Sequence, residues 1–173
     1  MTAAGASTPP RWRRWARATG QLVALLVFYL GLRAVTQRGV ARGAAPALAG
    51  HDLAGHAVSL ADLRGKPVVV HFWATWCPVC MAESSTVDAL AHDHDVVTVA
   101  TSSGAAAQIQ ASMRGHGLSF PVVVDEDGDL ARAWGVRAFP TSFFLDADQR
   151  IRFAETGFTT SPGFRARLWL AAR

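Results

Sequence analysis

The chain has 173 residues, of which 50% are hydrophobic and 17% are charged. This balance fits one globular domain with an accessory segment, and it excludes a large multidomain enzyme and a disordered chain. The formal net charge is +4, but residues 1–50 contain seven arginines and no acidic residue, so the remainder has ten basic and thirteen acidic side chains, a net charge of −3. Because the positive charge belongs to the N-terminus, the composition argues against nucleic-acid binding.

The N-terminal region predicts an export or membrane segment. Residues 1–17 are first small and polar and then rich in arginine, which predicts a disordered, basic lead. The run Leu22–Leu32 contains no charged side chain. Extended over 18–35, it approaches the length of about 20 residues that crosses a bilayer. We therefore predict a transmembrane signal-anchor over 18–35, a linker over 36–46 and a folded domain over 47–173.

Two other interpretations of this region remain open. The eleven-residue apolar run also suits a cleavable signal peptide, with Ala45-Pro46-Ala47 as a small-residue cleavage site. Alternatively, the run forms a helix that is buried in a globular domain.

From Ala47 onward, short strands and helices alternate. Two short apolar stretches, 47–53 and 56–60, predict a leading hairpin. The further predicted strands are 68–73, 96–100, 121–124, 141–145 and 151–155. The predicted helices are 78–91, 105–114, 130–134 and 164–171. This order predicts an α/β domain, with a mixed central sheet and helices on both faces.

The two cysteines of the chain, Cys77 and Cys80, lie where a predicted strand meets a predicted helix. A structural zinc site needs four ligands, and no second cysteine pair or spaced histidine pair supplies them, so we predict no metal site. The helix dipole stabilises a thiolate at the helix start, which makes Cys77 the expected nucleophile. Cys80, three positions further on, is the expected resolving thiol. Ordinary buried cysteines and a static structural disulfide are the alternatives.

The residues around the cysteines resemble a known family. The stretch Phe72-Trp73-Ala74-Thr75-Trp76-Cys77-Pro78-Val79-Cys80 is followed about sixty residues later by Gly135-Val136-Arg137-Ala138-Phe139-Pro140-Thr141. Together these motifs resemble the active site of the thioredoxin superfamily, in particular its membrane-anchored thiol-disulfide oxidoreductases of the TlpA, ResA and ScsD type. The resemblance implies a thioredoxin-like fold.

The resemblance also implies a surface that binds substrate. In the family the matching proline is cis, faces the disulfide and lets the preceding residue pair with an extended client chain. This assigns the cis proline to Pro140 and the pairing backbone to Phe139. The other residues assigned to this surface are Trp76, Pro78, Val79 and Thr141. Without the family, Phe-Pro-Thr would only indicate a turn or the start of a strand.

Two titratable residues are candidates for redox tuning. His71 stands where thioredoxins have a buried aspartate, and it would accept a proton from Cys80 or act on the thiolates through its charge. The alternative is a core histidine bonded to the backbone. Glu83 matches an acidic residue of the relatives, although the proline that often follows is Ser85 here. Its alternative is a carboxylate on the helix surface.

The resemblance implies a membrane-anchored oxidoreductase that reduces disulfides of client proteins through Cys77 and Cys80, without a bound cofactor. Its expected location is the cytoplasmic membrane, with a single pass, a cytoplasmic lead and the C-terminal domain in the periplasm or another extracytoplasmic space. A membrane thiol reductase is the expected electron donor. A disulfide oxidase or isomerase is one alternative. A Cu(I)-binding module linked to copper tolerance is another, since two thiolates are soft ligands.

Overall fold

The computed structural model describes residues 11–36 and 39–173, and it divides the chain into two compact units after residue 38. The first unit contains one helix, α1 (Arg11–Thr36). Residues 11–17, expected in a disordered lead, therefore lie in a helix, whereas residues 1–10 of that lead lie outside the described residues. The predicted span over 18–35 lies within α1, and in the described part of the chain no helix is both long and apolar enough to cross a membrane.

The second unit, residues 39–173, contains eight strands among its described residues. They are β1 (Gly43–Ala44), β2 (Ala49–His51), β3 (Ala57–Ser59), β4 (Val68–Trp73), β5 (Val96–Thr101), β6 (Val122–Asp125), β7 (Thr141–Leu145) and β8 (Arg150–Thr156). Six of them form one sheet in the order β1-β8-β7-β4-β5-β6, in which β4, β5 and β6 are parallel and the others antiparallel. This confirms the predicted mixed sheet. The strands β2 and β3 form a separate antiparallel hairpin, as predicted.

Both faces of the sheet are covered. The helices are α2 (Pro78–Asp93), α3 (Ala106–Gly115), α4 (Asp129–Ala133) and α5 (Ser161–Ala171), with a 3-10 helix at Leu60–Leu63. On one face, Val69 and Trp73 of β4 pack with residues of α2, α3 and α5. On the other face, Val70 and Phe72 pack with α4, with the 3-10 helix and with the segment before the hairpin. Side chains alternate along a strand, so His71 shares the face that α2 covers.

The segment predicted as a linker contributes to this second unit from Gly39 onward. Its strand β1 pairs with the start of β8, and Val40 is buried in the same cluster as Trp134. The N–H of Ala41 donates to the Trp134 carbonyl at 3.0 Å. The structure thus begins the folded unit eight residues before the predicted boundary at Ala47.

Candidate active site

The end of β4 delivers Cys77 to the start of α2. After Trp73 the chain leaves the sheet, and Cys77 becomes the N-cap of α2 with extended backbone angles. Pro78 occupies the first turn, where its missing N–H costs nothing because the first helical N–H groups have no partner within the helix. The Sγ atom of Cys77 accepts the backbone N–H of Cys80 at 3.1 Å. The sulfur therefore lies at the positive end of the helix dipole, where negative charge is stabilised.

The two cysteines form a disulfide, with their Cα atoms 5.2 Å apart. Cys77 is 6% exposed and Cys80 1% exposed, so Cys77 is the outer of the two sulfur-bearing residues. A client sulfur arriving from solvent thus meets Cys77 first. This order agrees with the roles expected of a nucleophile and a resolving thiol.

A cis peptide bond joins Phe139 to Pro140 immediately before β7. The carbonyl of Pro140 accepts the N–H of Gly157 at 2.8 Å. The hydroxyl of Thr141 donates to the Ala138 carbonyl at 2.8 Å, which closes the turn around the proline. Pro140 and Thr141 are buried, whereas Phe139 is half-buried.

Apolar side chains surround the disulfide. Trp76 is 60% exposed and Val79 45% exposed, and Pro78 is also exposed. The ring of Trp76 meets the ring of Phe139 edge to face, with 5.7 Å between centroids. This contact brings the sequence before the cysteines next to the cis peptide, although the two lie in different parts of the chain. Two of the predicted substrate-binding residues, Trp76 and Phe139, thus lie together.

His71 is buried, and its Nδ1 lies 2.9 Å from the hydroxyl oxygen of Ser142 on β7. Removal from water disfavours the imidazolium and lowers the pKa of His71 to about 3. The imidazole is therefore neutral at physiological pH. A role through positive charge does not fit this state, and the same burial opposes transfer of a proton to the ring, because that transfer would form the disfavoured imidazolium. The hydrogen-bond partner of His71 is thus a side-chain hydroxyl. The alternative of a core histidine expected a backbone partner instead.

Glu83 is fully buried, which contradicts its interpretation as a carboxylate on the helix surface. Its Oε1 accepts the N–H of Thr159 at 2.5 Å, and its Oε2 has no hydrogen-bond partner among the described residues. Burial raises the pKa of Glu83 to about 7. Because Glu83 follows Cys80 by three residues on α2, the two side chains lie on one helix face, about 5–6 Å apart at Cβ.

Sequence reasoning missed the residues that support this site from other loops. Thr159 holds Glu83, and Ser102 and Ser103 contact the residues just before Cys77. A pair of serines after a buried strand and a threonine before a helix are common loop residues. Only the tertiary structure shows that these three residues support the site. In the described part of the chain, no group of three or more His, Cys, Asp or Glu side chains is placed to hold a metal ion.

A family model described as Redoxin matches residues 41–167. The chain belongs to this family. A thioredoxin-like protein of Haemophilus influenzae is 33% identical over 122 residues, which cover 69% of this chain and 72% of the relative. The thiol-disulfide oxidoreductase ResA of Bacillus thuringiensis is 30% identical over 112 residues, covering 58% of this chain and 60% of the relative. The matched part thus spans less than two thirds of that ResA protein.

A similar solved structure is the pneumococcal exposed lipoprotein thioredoxin of Streptococcus pneumoniae. It is 27% identical, with a TM-score of 0.64, and the match covers 72% of this chain and 98% of that one. Together, these findings confirm the thioredoxin superfamily and the ResA-like resemblance. The domain is a thiol-disulfide oxidoreductase of the thioredoxin fold, with Cys77 and Cys80 as its disulfide.

Proposed function

We propose that this protein reduces disulfides of client proteins outside the cytoplasm, using the dithiol form of Cys77 and Cys80 and no bound cofactor. The observation that carries this proposal is the position of Cys77 as the N-cap of α2, beside an exposed tryptophan and with a deeper second cysteine one turn later. A thiol in this position is both activated and accessible from one side.

The reaction exchanges two sulfur–sulfur bonds. The Cys77 thiolate attacks one sulfur of the client disulfide, forms a mixed disulfide and releases the other client sulfur as a thiolate, which takes up a proton. Cys80 then loses its proton and attacks Cys77, which releases the second client thiol and forms the Cys77–Cys80 disulfide seen in the structure. Two electrons pass from the dithiol to the client, and an external dithiol must return them.

The electrostatics near the second cysteine support the reducing direction. His71 is neutral and supplies no positive charge to stabilise a thiolate. Glu83 is buried on the same face of α2 as Cys80, and in its ionised form it disfavours a thiolate there by like-charge repulsion. This repulsion destabilises the thiolate, and hence the reduced state relative to the disulfide, and the neutral His71 does not offset it. A dithiol of this kind gives up its electrons more readily.

The surface around Cys77 supports a polypeptide as the substrate. Trp76 and Val79 present apolar area, and the half-buried Phe139 provides backbone groups next to the cis proline. An extended client segment would lie over Trp76 and pair with the backbone of Phe139. In this arrangement the client disulfide would face Cys77, the outer of the two cysteines.

We also propose that residues 1–38 deliver the domain to the periplasm or an equivalent space, where a membrane thiol reductase returns the electrons. Three observations support this location. One structural relative is described as an exposed lipoprotein, arginines precede the apolar run Leu22–Leu32, and the apolar side chains of that run that the structure describes are exposed on α1. Protease protection of a tag after Arg173 tests the location. The N-terminus of the mature protein shows whether the segment is retained at the membrane or cleaved.

The reduction potential of the Cys77–Cys80 couple decides the direction. We expect equilibration of the purified full-length chain with glutathione buffers to give a potential more negative than about −220 mV, the upper limit of the glutathione poise in the cytosol. We also expect the reduced protein to reduce insulin. A potential near that of a strong oxidant, about −120 mV, would instead identify a disulfide oxidase.

A further inference from the structure

One short segment at the end of β5 holds two consecutive residues before the nucleophilic cysteine. The backbone N–H of Thr75 donates to Ser103 Oγ at 3.0 Å. The indole N–H of Trp76 donates to the Ser102 carbonyl at 2.9 Å. Because Thr101 is the last residue of β5, both serines directly follow a strand of the central sheet. The loop between β4 and α2 is thus bonded to the neighbouring parallel strand at its carboxyl end.

The hydroxyl of Ser103 has a defined direction. Its proton is donated to the carbonyl of Thr101 at 3.0 Å, which leaves the lone pairs of the oxygen for the N–H of Thr75. Ser103 is buried. This buried hydroxyl therefore connects the end of the strand to Thr75, and loss of its oxygen leaves the Thr75 N–H without its acceptor.

Asp125, at the end of β6, fixes this segment to the rest of the fold. The Thr101 hydroxyl donates to Asp125 Oδ2 at 2.9 Å, and the Ser102 N–H donates to the Asp125 carbonyl at 2.9 Å. The same carboxylate accepts the N–H groups of Leu130 and Ala131 in α4. The position of the segment is therefore set by β6 and α4, independently of the loop that it holds.

We propose that Ser103 is a positioning residue for thiol-disulfide exchange at Cys77. Cys77 follows Thr75 by two residues, and its N–H donates to the Ala74 carbonyl at 3.2 Å, so the turn that Ser103 holds also sets the place of the sulfur. Exchange with a disulfide requires this sulfur to approach along the sulfur–sulfur axis of the client. A turn released from Ser103 reaches that geometry less often. The inference rests on the proposed function only in requiring that Cys77 exchanges with protein disulfides.

The test compares three variants in the purified full-length chain. Ser103→Ala removes the hydroxyl and Ser103→Thr retains it. The matched control is Ser59→Ala, which also removes a hydroxyl that accepts a backbone N–H, here that of Ala61 at 3.2 Å. Ser59 and Val96 line the same cavity, and because β5 begins at Val96, Ser59 lies toward the other end of this strand from Ser103.

We expect Ser103→Ala to lower kcat for insulin reduction by about 3- to 10-fold, with KM within about twofold of the parent value. Ser103→Thr and Ser59→Ala should keep the parent kcat. Alkylation of reduced Cys77 by iodoacetamide should stay unchanged in all of them, because a small reagent needs no fixed orientation of the sulfur. An equal kcat in Ser103→Ala and Ser59→Ala would overturn the proposal, as would a parallel loss of alkylation and folding stability.

Hydrogen exchange of the Thr75 amide tests the role of Ser103 independently of the proposed function. We expect this amide to exchange about tenfold faster in Ser103→Ala and at the parent rate in Ser103→Thr and Ser59→Ala. Unchanged protection in Ser103→Ala would show that Ser103 does not hold the turn. If the parent chain failed to reduce insulin, the proposed function would be wrong, and the amide measurement would still decide whether Ser103 holds the turn.

Discussion

The buried carboxyl of Glu83 accepts the backbone N–H of Thr159 at 2.5 Å, across 76 positions in the sequence. Two residues before Thr159, Gly157 donates its N–H to the carbonyl of Pro140 at 2.8 Å. One loop after β8 is thus bonded both to the helix that carries Cys80 and to the cis proline. Glu83 therefore has a structural role in the site in addition to any effect of its charge.

Glu83 makes the free energy of unfolding depend on pH. Burial raises its pKa from 4.5 to about 7, so the folded state favours the protonated carboxyl. The resulting stability is complete below about pH 4.5 and is lost as the pH rises through 7. We expect Glu83→Gln, which keeps an oxygen for the Thr159 N–H, to gain up to about 3 kcal/mol relative to the parent chain between pH 5 and pH 8. Urea unfolding at both pH values measures this difference.

The exposed Glu126→Gln is the control for the loss of one negative charge. Its free energy of unfolding should change with pH in the same way as that of the parent chain. If Glu83→Gln also followed the parent chain, the carboxyl of Glu83 would be ionised in the folded state as readily as in water, and its burial would have no electrostatic cost.

His71 gives the free energy of unfolding the opposite pH dependence. Burial lowers its pKa from 6.5 to about 3, so its contribution to stability is present above pH 6.5 and is lost as the pH falls toward 3. Replacement by asparagine retains a partner for the Ser142 hydroxyl and does not titrate. We expect the parent chain to lose about 2 kcal/mol relative to His71→Asn between pH 7 and pH 5. The control for loss of one histidine is His51→Asn, because His51 is exposed. If the free energy of unfolding fell equally in the parent chain and in His71→Asn between pH 7 and pH 5, this prediction would be contradicted.

The same histidine offers a test of redox tuning. Because the ring is neutral, we expect His71→Asn to leave the pH profile of Cys77 alkylation unchanged, while His71→Asp raises the pKa of the Cys77 thiol through like-charge repulsion. If proton acceptance by the ring assists Cys80, His71→Ala should slow resolution of the mixed disulfide more than its formation. Stopped-flow measurement of the two steps distinguishes this from packing, which predicts unchanged rates in the folded protein.

The central strands could be predicted closely because burial on both faces leaves a continuous β-branched pattern in the sequence. The strand predicted over 68–73 has the same bounds in the structure, and that over 96–100 is one residue longer. The helix start at Pro78 followed from the preference of proline for a first turn. These local signals were sufficient to place Cys77 and Cys80 at a strand-to-helix junction.

Contacts between distant segments could not be predicted in this way. Nothing in the residues around Thr159 indicates that its N–H meets Glu83, because that contact depends on how α2 and the loop after β8 pack. Likewise, Val40 is a single large apolar residue among glycine, alanine and arginine, so the composition of 36–46 indicates a linker. Its burial beside Trp134 becomes visible only in the folded unit.

This burial predicts that a fragment beginning at Ala47 is less stable than one beginning at Gly39. The shorter fragment lacks strand β1 and the buried side chain of Val40. Loss of this side chain and its backbone hydrogen bonds should cost about 2–3 kcal/mol. Urea unfolding of fragments 39–173 and 47–173 measures the difference, and Val40→Ala in the longer fragment should reproduce part of it. Equal stabilities would mean that the segment contributes nothing to the fold.

The two cysteines are expected to have separate roles in the exchange reaction. Because Cys77 is the outer residue and its Sγ accepts a helix N–H, we expect Cys77→Ser to abolish insulin reduction. The deeper Cys80 cannot replace it, because it is only 1% exposed and a client sulfur arriving from solvent does not reach it. In Cys80→Ser, Cys77 should still attack client disulfides, but the client should not be released. This variant should therefore accumulate mixed disulfides that dithiothreitol reduces. Non-reducing electrophoresis and mass spectrometry detect these adducts. Adducts formed through Cys80 in the Cys77→Ser protein, at the rate seen for Cys80→Ser, would reverse the assignment.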